Sequence, residues 1–491
     1  MGGGNCSSKN IKELNIKIIM DNSNKTNNDY KIEKDIKQYF LNNPHEYNKF
    51  LKNLYLKNFC SDLTIYDKNI KYLANKIKNF TIEKNFDYYQ CLSCILGAFY
   101  GDALGNTVEF EPKDPNNHNK IYGKCTFKIT EPGEITDDSE MEISLAFAIL
   151  DNNDLYELNQ NLLYYYYGAW CKTNNPNIGL ATATALQDFD FDNSIINNKD
   201  LYSYQIKNKI MAVNKDSKAN GFLMRISTLV VWFYFRFKDY LKNELKKDDT
   251  NSFYEIYQKI YEQISKDTSI IHPNSENSVA STIFVFISLC AIFKYNHNEI
   301  LEKLKILINN ENFLNYSDND RTVVKNLITT TLENFEDKNF NKDNYFNITE
   351  HQGYYVHAYK LTLYYLFIFD KIPETNIISK YRYIINEICD FGGDADTNCA
   401  IVGTVIGPLI GYNNFDQNDF DIFIYHVNKE IGRVQFTASF MYLFIKFLDV
   451  SNKEADKQNK NKNEIRYNVG KLFTILFYEK INEDIIEKMF N

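Results

Sequence analysis

The chain has no excess of basic residues: 55 Lys and Arg stand against 64 Asp and Glu, a formal charge of −9 over 491 residues. Without a positive field to follow a phosphate backbone, a nucleic-acid partner is not expected. Zinc-type cysteine spacing is missing as well. Of nine cysteines, only Cys91 and Cys94 form a CxxC. They lie in an apolar run, which reads as buried thiols in a reducing, cytoplasmic compartment. No stretch reaches about 18 uninterrupted apolar residues. The longest candidate, residues 279–293, carries Ser281, Thr282 and Ser288 and is expected to be a core helix. The N-terminus has no apolar h-region, so no secretory leader is expected. Strand-type alternation is rare, and no internal repeat is found.

What is present is helical. The 44% apolar and 15% aromatic content can fill a large core, and 3.6-residue periodicity recurs at 155–170, 221–241, 252–265, 279–295, 300–308, 354–369 and 380–389. The expected class is all-α. Residues 1–29 read as a tail and 30–87 as an amphipathic helical extension. The main domain is placed at 88–448, interrupted by an Asn/Asp/Lys-rich insertion at 309–347, and 449–491 as a charged linker and closing helix. The first residues, Met1-Gly2-Gly3-Gly4-Asn5-Cys6-Ser7-Ser8, form a candidate lipidation signal. Gly2 would take myristate and Cys6 palmitate, two chains being needed for stable attachment and peripheral membrane contact. Cys6 stands where Ser or Thr is usual, and the bland alternative is an unanchored tail.

Two clusters of acids open apolar helical runs: Thr136-Asp137-Asp138-Ser139 ahead of residues 141–150, and Gly392-Gly393-Asp394-Ala395-Asp396-Thr397 ahead of a run that stops at Pro408. A helix N-terminus favours carboxylates, so either cluster alone is explained by capping. Ser139 to Glu142 even fits a capping box. Yet each cluster holds more acids than one cap uses, and each carries hydroxyls. Hard oxygen donors without His or Cys suit Mg²⁺ or Mn²⁺ rather than zinc. An EF-hand reading of 394–405 fails, because Cys399 replaces the required glycine and Val405 the bidentate glutamate. Asp102 sits in an apolar stretch with Gly97, Gly101 and Gly105 at helical spacing, so it needs a partner. The glycines by themselves read as a close helix contact. Ser217-Lys218-Ala219-Asn220-Gly221, before a helix expected to contain Met224 and Arg225, can offer backbone N–H groups to a phosphate. His272 is a lone histidine, on residue chemistry alone a packed or loop side chain.

In this order, Gly101-Asp102-Ala103-Leu104-Gly105 with Glu109, Thr136-Asp137-Asp138-Ser139 with Met141, Ser217 through Gly221 to Met224-Arg225, and Gly392 through Asn398 resemble the ADP-ribosylglycohydrolases over roughly residues 88–448. The resemblance implies an all-helical monomer with two Mg²⁺ (Mn²⁺ as alternative) held by Thr136, Asp137, Asp138, Asp394, Asp396 and Thr397. It implies Glu109 on a mobile flap, Asp102 in a supporting role, and a diphosphate on Ser217, Lys218, Asn220 and Gly221. It also implies that His272 lies near the ribose or adenine side. The catalytic set would be Glu109, Asp137, Asp138, Asp394 and Asp396. The substrate would be an ADP-ribosylated protein or small ADP-ribosyl conjugate, arginine-linked first, serine-linked or O-acetyl-ADP-ribose otherwise. Ala219 and Ala395 depart from the family pattern without removing a ligand. A non-catalytic ADP-ribose-binding module and a helical protein with coincidental caps stay open; retention of all six candidate ligands favours the enzyme.

Overall fold

The computed structural model describes residues 86–121, 133–152, 154, 156–171, 178–189, 201–314, 319–373, 379–411 and 414–415. Gly2, Cys6, the tail, nearly all of the 30–87 extension and the segment from 449 lie outside the described residues. The helices are α1 (Phe86–Gly105), α2 (Asp137–Asp151), α3 (Gln160–Cys171), α4 (Leu180–Leu186), α5 (Tyr204–Asn214), α6 (Ile226–Leu245), α7 (Thr250–Thr268) and α8 (Ser275–Ile292). They continue with α9 (His297–Ile308), α10 (Glu311–Leu314), α11 (Asn319–Glu336), α12 (Lys342–Tyr345), α13 (Tyr355–Phe367), α14 (Lys380–Phe391) and α15 (Ala395–Ile410). Among the described residues there is no strand, so the fold is all-α; two isolated antiparallel bridges, Glu111 with Gly393 and Ala219 with Tyr354, occur instead.

Local signals explain single helices. Asp249 caps α7 by accepting the Asn251 and Ser252 N–H groups (3.3 and 3.2 Å). Phe253, Ile256, Tyr257, Ile260 and Ile264 then give α7 one buried stripe. In α8 every residue after Ser275 is buried. It is long and apolar enough to cross a membrane by length and composition, but it packs against α1, α6, α7, α9, α11 and α15. It is the core helix its sequence suggests. The stretch 309–347, expected to interrupt the core, contributes to it: α11 buries Val324, Ile328, Leu332 and Phe335 and packs on α8 and α13.

The pair that positions everything else is α1 against α15. A Cβ on Gly97 would lie 2.1 Å from the Gly403 carbonyl oxygen, one on Gly101 2.4 Å from that of Cys399, and one on Gly105 2.6 Å from that of Ala395. Rising numbers on α1 meet falling numbers on α15, so the helices run antiparallel with their backbones in contact. Only small residues at four-residue spacing allow this, and the spacing is the close-contact signal read in the sequence. The approach sets the end of α1, with Asp102, beside the start of α15, with Asp396. Helix α15 runs through Pro408 to Ile410 and is closed by Gly411 (φ 84°), slightly beyond the expected stop.

Candidate active site

Asp102 is fully buried, yet it is well served. Its carboxylate accepts the Thr136 N–H (3.1 and 3.0 Å to its two oxygens), the Ser139 N–H (3.2 Å) and the Ser139 hydroxyl. It therefore closes the N-terminus of α2 from a neighbouring helix. Burial, then the charge of Asp396, pushes its carboxyl up to about 7 against the pull of those hydrogen bonds.

Within α2 the cap is Thr136. Its hydroxyl accepts the Asp138 N–H (3.4 Å) and donates to Asp138 Oδ2 (2.8 Å). The Ser139–Glu142 capping box does not form. Ser139 is taken by Asp102, and Glu142 accepts from the Ser227 hydroxyl and from the Thr228 N–H and hydroxyl (both 3.1 Å), capping α6 instead. Glu140 accepts the Trp170 indole N–H at 2.8 Å. These acids are structural, and Asp138 remains for the site. Asp138 Oδ1 is buried without a hydrogen-bond partner. Burial first, then the charges of Asp396, Asp102, Asp137 and Asp394, pushes the Asp138 carboxyl well above the usual carboxylate range.

Before α15 the chain turns through Gly392 (φ 72°) and Gly393 (φ 70°), a region that disfavours side chains. A Cβ on Gly392 would also strike the Glu111 carbonyl oxygen at 2.4 Å. Gly393 exchanges backbone bonds with the segment after α1: it accepts the Phe110 N–H (2.6 Å) and donates to the Glu111 oxygen (2.9 Å). Asp394 is the N-cap residue of α15 but makes no side-chain cap. Its Oδ2 accepts the Asn220 amide at 2.6 Å. Asp396 accepts the Thr397 N–H (2.9 Å), and Thr397 is buried beside it. Oxygens of Glu109, Asp394 and Asp396 lie within 4.8 Å of one another, and so do oxygens of Asp102, Asp138 and Asp396. The structure thus brings Asp138 from the first acidic cluster, Asp394 and Asp396 from the second, and Glu109 to one place, with Asp396 shared; Asp137 is in neither group.

The Ser217–Gly221 loop borders this cluster. It is fixed by the Asn220 N–H to Gly353 O (2.8 Å) and the Tyr355 N–H to Lys218 O (3.1 Å). Ala219 has φ −65° and ψ 145°, a conformation that alanine adopts without strain. Lys218 Nζ donates to Glu276 (2.7 Å), whose other oxygen accepts the Tyr355 hydroxyl (2.7 Å). His272 is 1% exposed, with Nδ1 3.5 Å from the Ser217 hydroxyl and Nε2 buried without a partner. A Cβ on Gly221 would approach that Nε2 to 2.9 Å. Burial, then Arg225, holds its imidazole down to about 3, so it is neutral. Arg225 itself is buried, donating to the Gly221 carbonyl (2.7 Å) and paired with Asp267 (3.1 Å). The helix expected to contain Met224 and Arg225 begins only at Ile226; a 3-10 turn, Asn220–Phe222, comes first. The loop therefore does not open directly into a helix. Sequence reasoning missed Gly353, where a Cβ would sit 3.6 Å from Asp394 Oδ2. Inside His351-Gln352-Gly353 it looks like any turn glycine.

Chemically, this is a buried group of carboxylates with hydroxyls and, among the described residues, no histidine or cysteine in the group. Such charge requires compensation, and the donor set with the orphaned Asp138 oxygen fits hard divalent cations. A family model described as ADP-ribosylglycohydrolase matches residues 87–418. A protein of Acanthamoeba polyphaga mimivirus named as an ADP-ribosyl glycohydrolase is 26% identical over 330 residues, 65% of this chain and 86% of that one. An ADP-ribosylarginine hydrolase of Serratia proteamaculans is 31% identical over 99 residues, 19% of this chain and 27% of that protein. The ADP-ribosyl-[dinitrogen reductase] glycohydrolase of Rhodospirillum rubrum is 32% identical over 100 residues, 18% and 31% of the two chains.

Proposed function

The chain belongs to the ADP-ribosylglycohydrolase family, and from that premise we propose that it is a Mg²⁺-dependent hydrolase that removes ADP-ribose from modified proteins, arginine-linked ADP-ribose being its substrate. Asp137, Asp138, Asp394 and Asp396, with Thr136 and Thr397, would hold two Mg²⁺, Mn²⁺ being the alternative. Bound there, the cations would offset the carboxylate charge and polarise the hydroxyls of the ribose. Ser217, Lys218, Asn220 and Gly221 hold the diphosphate, and the neutral His272 stands at the ribose side of that loop. Water attacks the anomeric carbon, the bond to the guanidinium nitrogen breaks and the guanidine departs with the bond pair, and one of the four aspartates takes the proton from water and passes it to that guanidine. The carboxylates stabilise the oxocarbenium-like transition state, and Glu109 orients the water.

The observation that carries this reading is the 2.6 Å hydrogen bond from Asn220 to Asp394, residues 174 apart in sequence. It joins the phosphate-type loop to the acid cluster, so one ligand carrying both a diphosphate and a ribose can reach both. The test compares arginine-, serine- and O-acetyl-linked ADP-ribose side by side with Mg²⁺. Release from the arginine linkage is expected. Release from none of the three, with free ADP-ribose still bound in calorimetry, would make the protein a reader rather than a hydrolase.

A further inference from the structure

Glu109 is carried on a strap, residues 106–120, that lies against the acid-bearing loop. The resemblance implies a mobile flap; here Asn106, Thr107 and Val108 anchor its start in the interior, and beyond Glu109 it is tied down by hydrogen bonds. The Phe110 N–H reaches Gly393 O (2.6 Å) and the Asp114 N–H reaches Asp390 O (3.0 Å). The His118 N–H and its ring Nδ1 both bond the Asp390 carboxylate at 2.9 Å. Asp390 sits in the last turn of α14, four residues before Asp394, so a bond to it references the strap to the frame of the acids. Phe110 has φ 61°. A bulky residue persists in that left-handed region only where its surroundings hold it. It is also 39% exposed while its neighbour Glu109 is 5% exposed. The strained residue thus turns one side chain out and the other onto Asp394 and Asp396.

We infer that His118 and Asp390 are positioning residues: their pair is the clasp that keeps the strap closed and Glu109 against the acids. The inference rests on the hydrolase reading for the role of Glu109. The clasp is partly open to water, with side-chain exposures of 34% and 23%, so its removal leaves the core untouched. Without it the Phe110 turn relaxes and Glu109 moves away from the reacting centre. Water orientation suffers, while the diphosphate loop, and hence substrate affinity, is unaffected.

The test uses the full chain with Asp390→Ala, His118→Ala and His118→Asn, read by amide hydrogen exchange at Phe110 and Asp114 and by kcat and KM. Asp390→Ala, which removes both bonds, should raise exchange and lower kcat by about tenfold with KM little changed. His118→Ala, which keeps the backbone bond, should do less. His118→Asn, which returns a donor near Nδ1, should recover most of the loss. In a Glu109→Gln background, Asp390→Ala should lower kcat no further, which a general structural weakening would not reproduce. Unchanged exchange in Asp390→Ala removes the clasp. Faster exchange with unchanged kcat, or additive losses with Glu109→Gln, removes the positioning role. A wild-type protein inactive on every linkage overturns the hydrolase reading and the role of Glu109 with it, while the exchange rates still decide whether the strap is clasped.

Discussion

The helix starts at Asp137 and at Ala395 carry the same kind of side chain and are finished in different ways. At the first, Thr136 supplies the cap and Asp102 takes further N–H groups from across the helix pair. At the second, Asp394 occupies the cap position without capping, and its carboxylate is turned to Asn220. One N-terminus delegates its capping to a threonine and to another helix; the other leaves part of its orphan N–H set without a side-chain cap. Both arrangements have the same consequence: carboxylates at a helix start, where the dipole favours charge, are kept available for a ligand. An acid at a helix start is informative when something else already does its structural job.

Breaking the uncapped start should have the largest effect. Asp394→Asn removes a charged oxygen from the cluster and disturbs the bond to Asn220. Metal affinity and turnover should both fall by at least about a hundredfold, since even outer partners of a metal site typically cost ten- to a hundredfold. Titration calorimetry with Mn²⁺ and a release assay read this, and retained turnover removes Asp394 from the mechanism. Separating the two starts comes next. In Gly105→Ala the new Cβ would lie 2.6 Å from backbone atoms of Ala395 and Asp396. Backbone cannot yield as a flexible side chain can, so the loss should be about 3 kcal/mol in a urea melt, with metal affinity falling in parallel. Asp102→Asn sharpens the comparison from the capped side. The carboxamide keeps one acceptor and lowers the repulsion on Asp138. Stability should fall by about 1 kcal/mol and metal affinity by about tenfold, less than at Asp394. An Asp102→Asn loss equal to that of Asp394→Asn would place Asp102 among the ligands themselves.

Both acid clusters were legible because they exceed what a cap needs, and a close helix contact along α1 was legible because glycine at four-residue spacing has few other uses, although nothing in the spacing named α15 as the partner. The Ser139–Glu142 box misled for a physical reason. Local reach permits the pair, but both residues are buried and find partners on α1 and α6 instead. The bonds that Asn220 donates, from its amide side chain to Asp394 and from its N–H to the Gly353 carbonyl, were not legible at all. A turn's composition says that the chain reverses, not which distant loop it faces. Helix α11 was hidden by its Asn- and Asp-rich flanks, although Val324, Ile328, Leu332 and Phe335 hold a helical stripe. Composition over the whole stretch outweighed periodicity within it.

The smallest effect on chemistry, and the cleanest control, belongs to Glu142, which shares α2 with Asp137 and Asp138 but accepts the Ser227 hydroxyl and the Thr228 N–H in the first turn of α6. Burial pushes its carboxyl up to about 8 from an ordinary 4.5. Below pH 4.5 the folded and unfolded chains both hold the proton, and the contribution of this group to stability is complete. Between 4.5 and 8 the unfolded chain releases it while the folded chain keeps it, so stability falls as pH rises, by as much as about 1.4 kcal/mol per pH unit. Glutamine does not titrate. Glu142→Gln should therefore gain stability relative to the wild type as pH is raised from 5 to 9, measured as the difference between their urea midpoints, with turnover unchanged. A turnover loss resembling that of Asp394→Asn would mean that the acids of α2 act as one electrostatic group, and the division between capping and ligand-facing carboxylates would have to be abandoned.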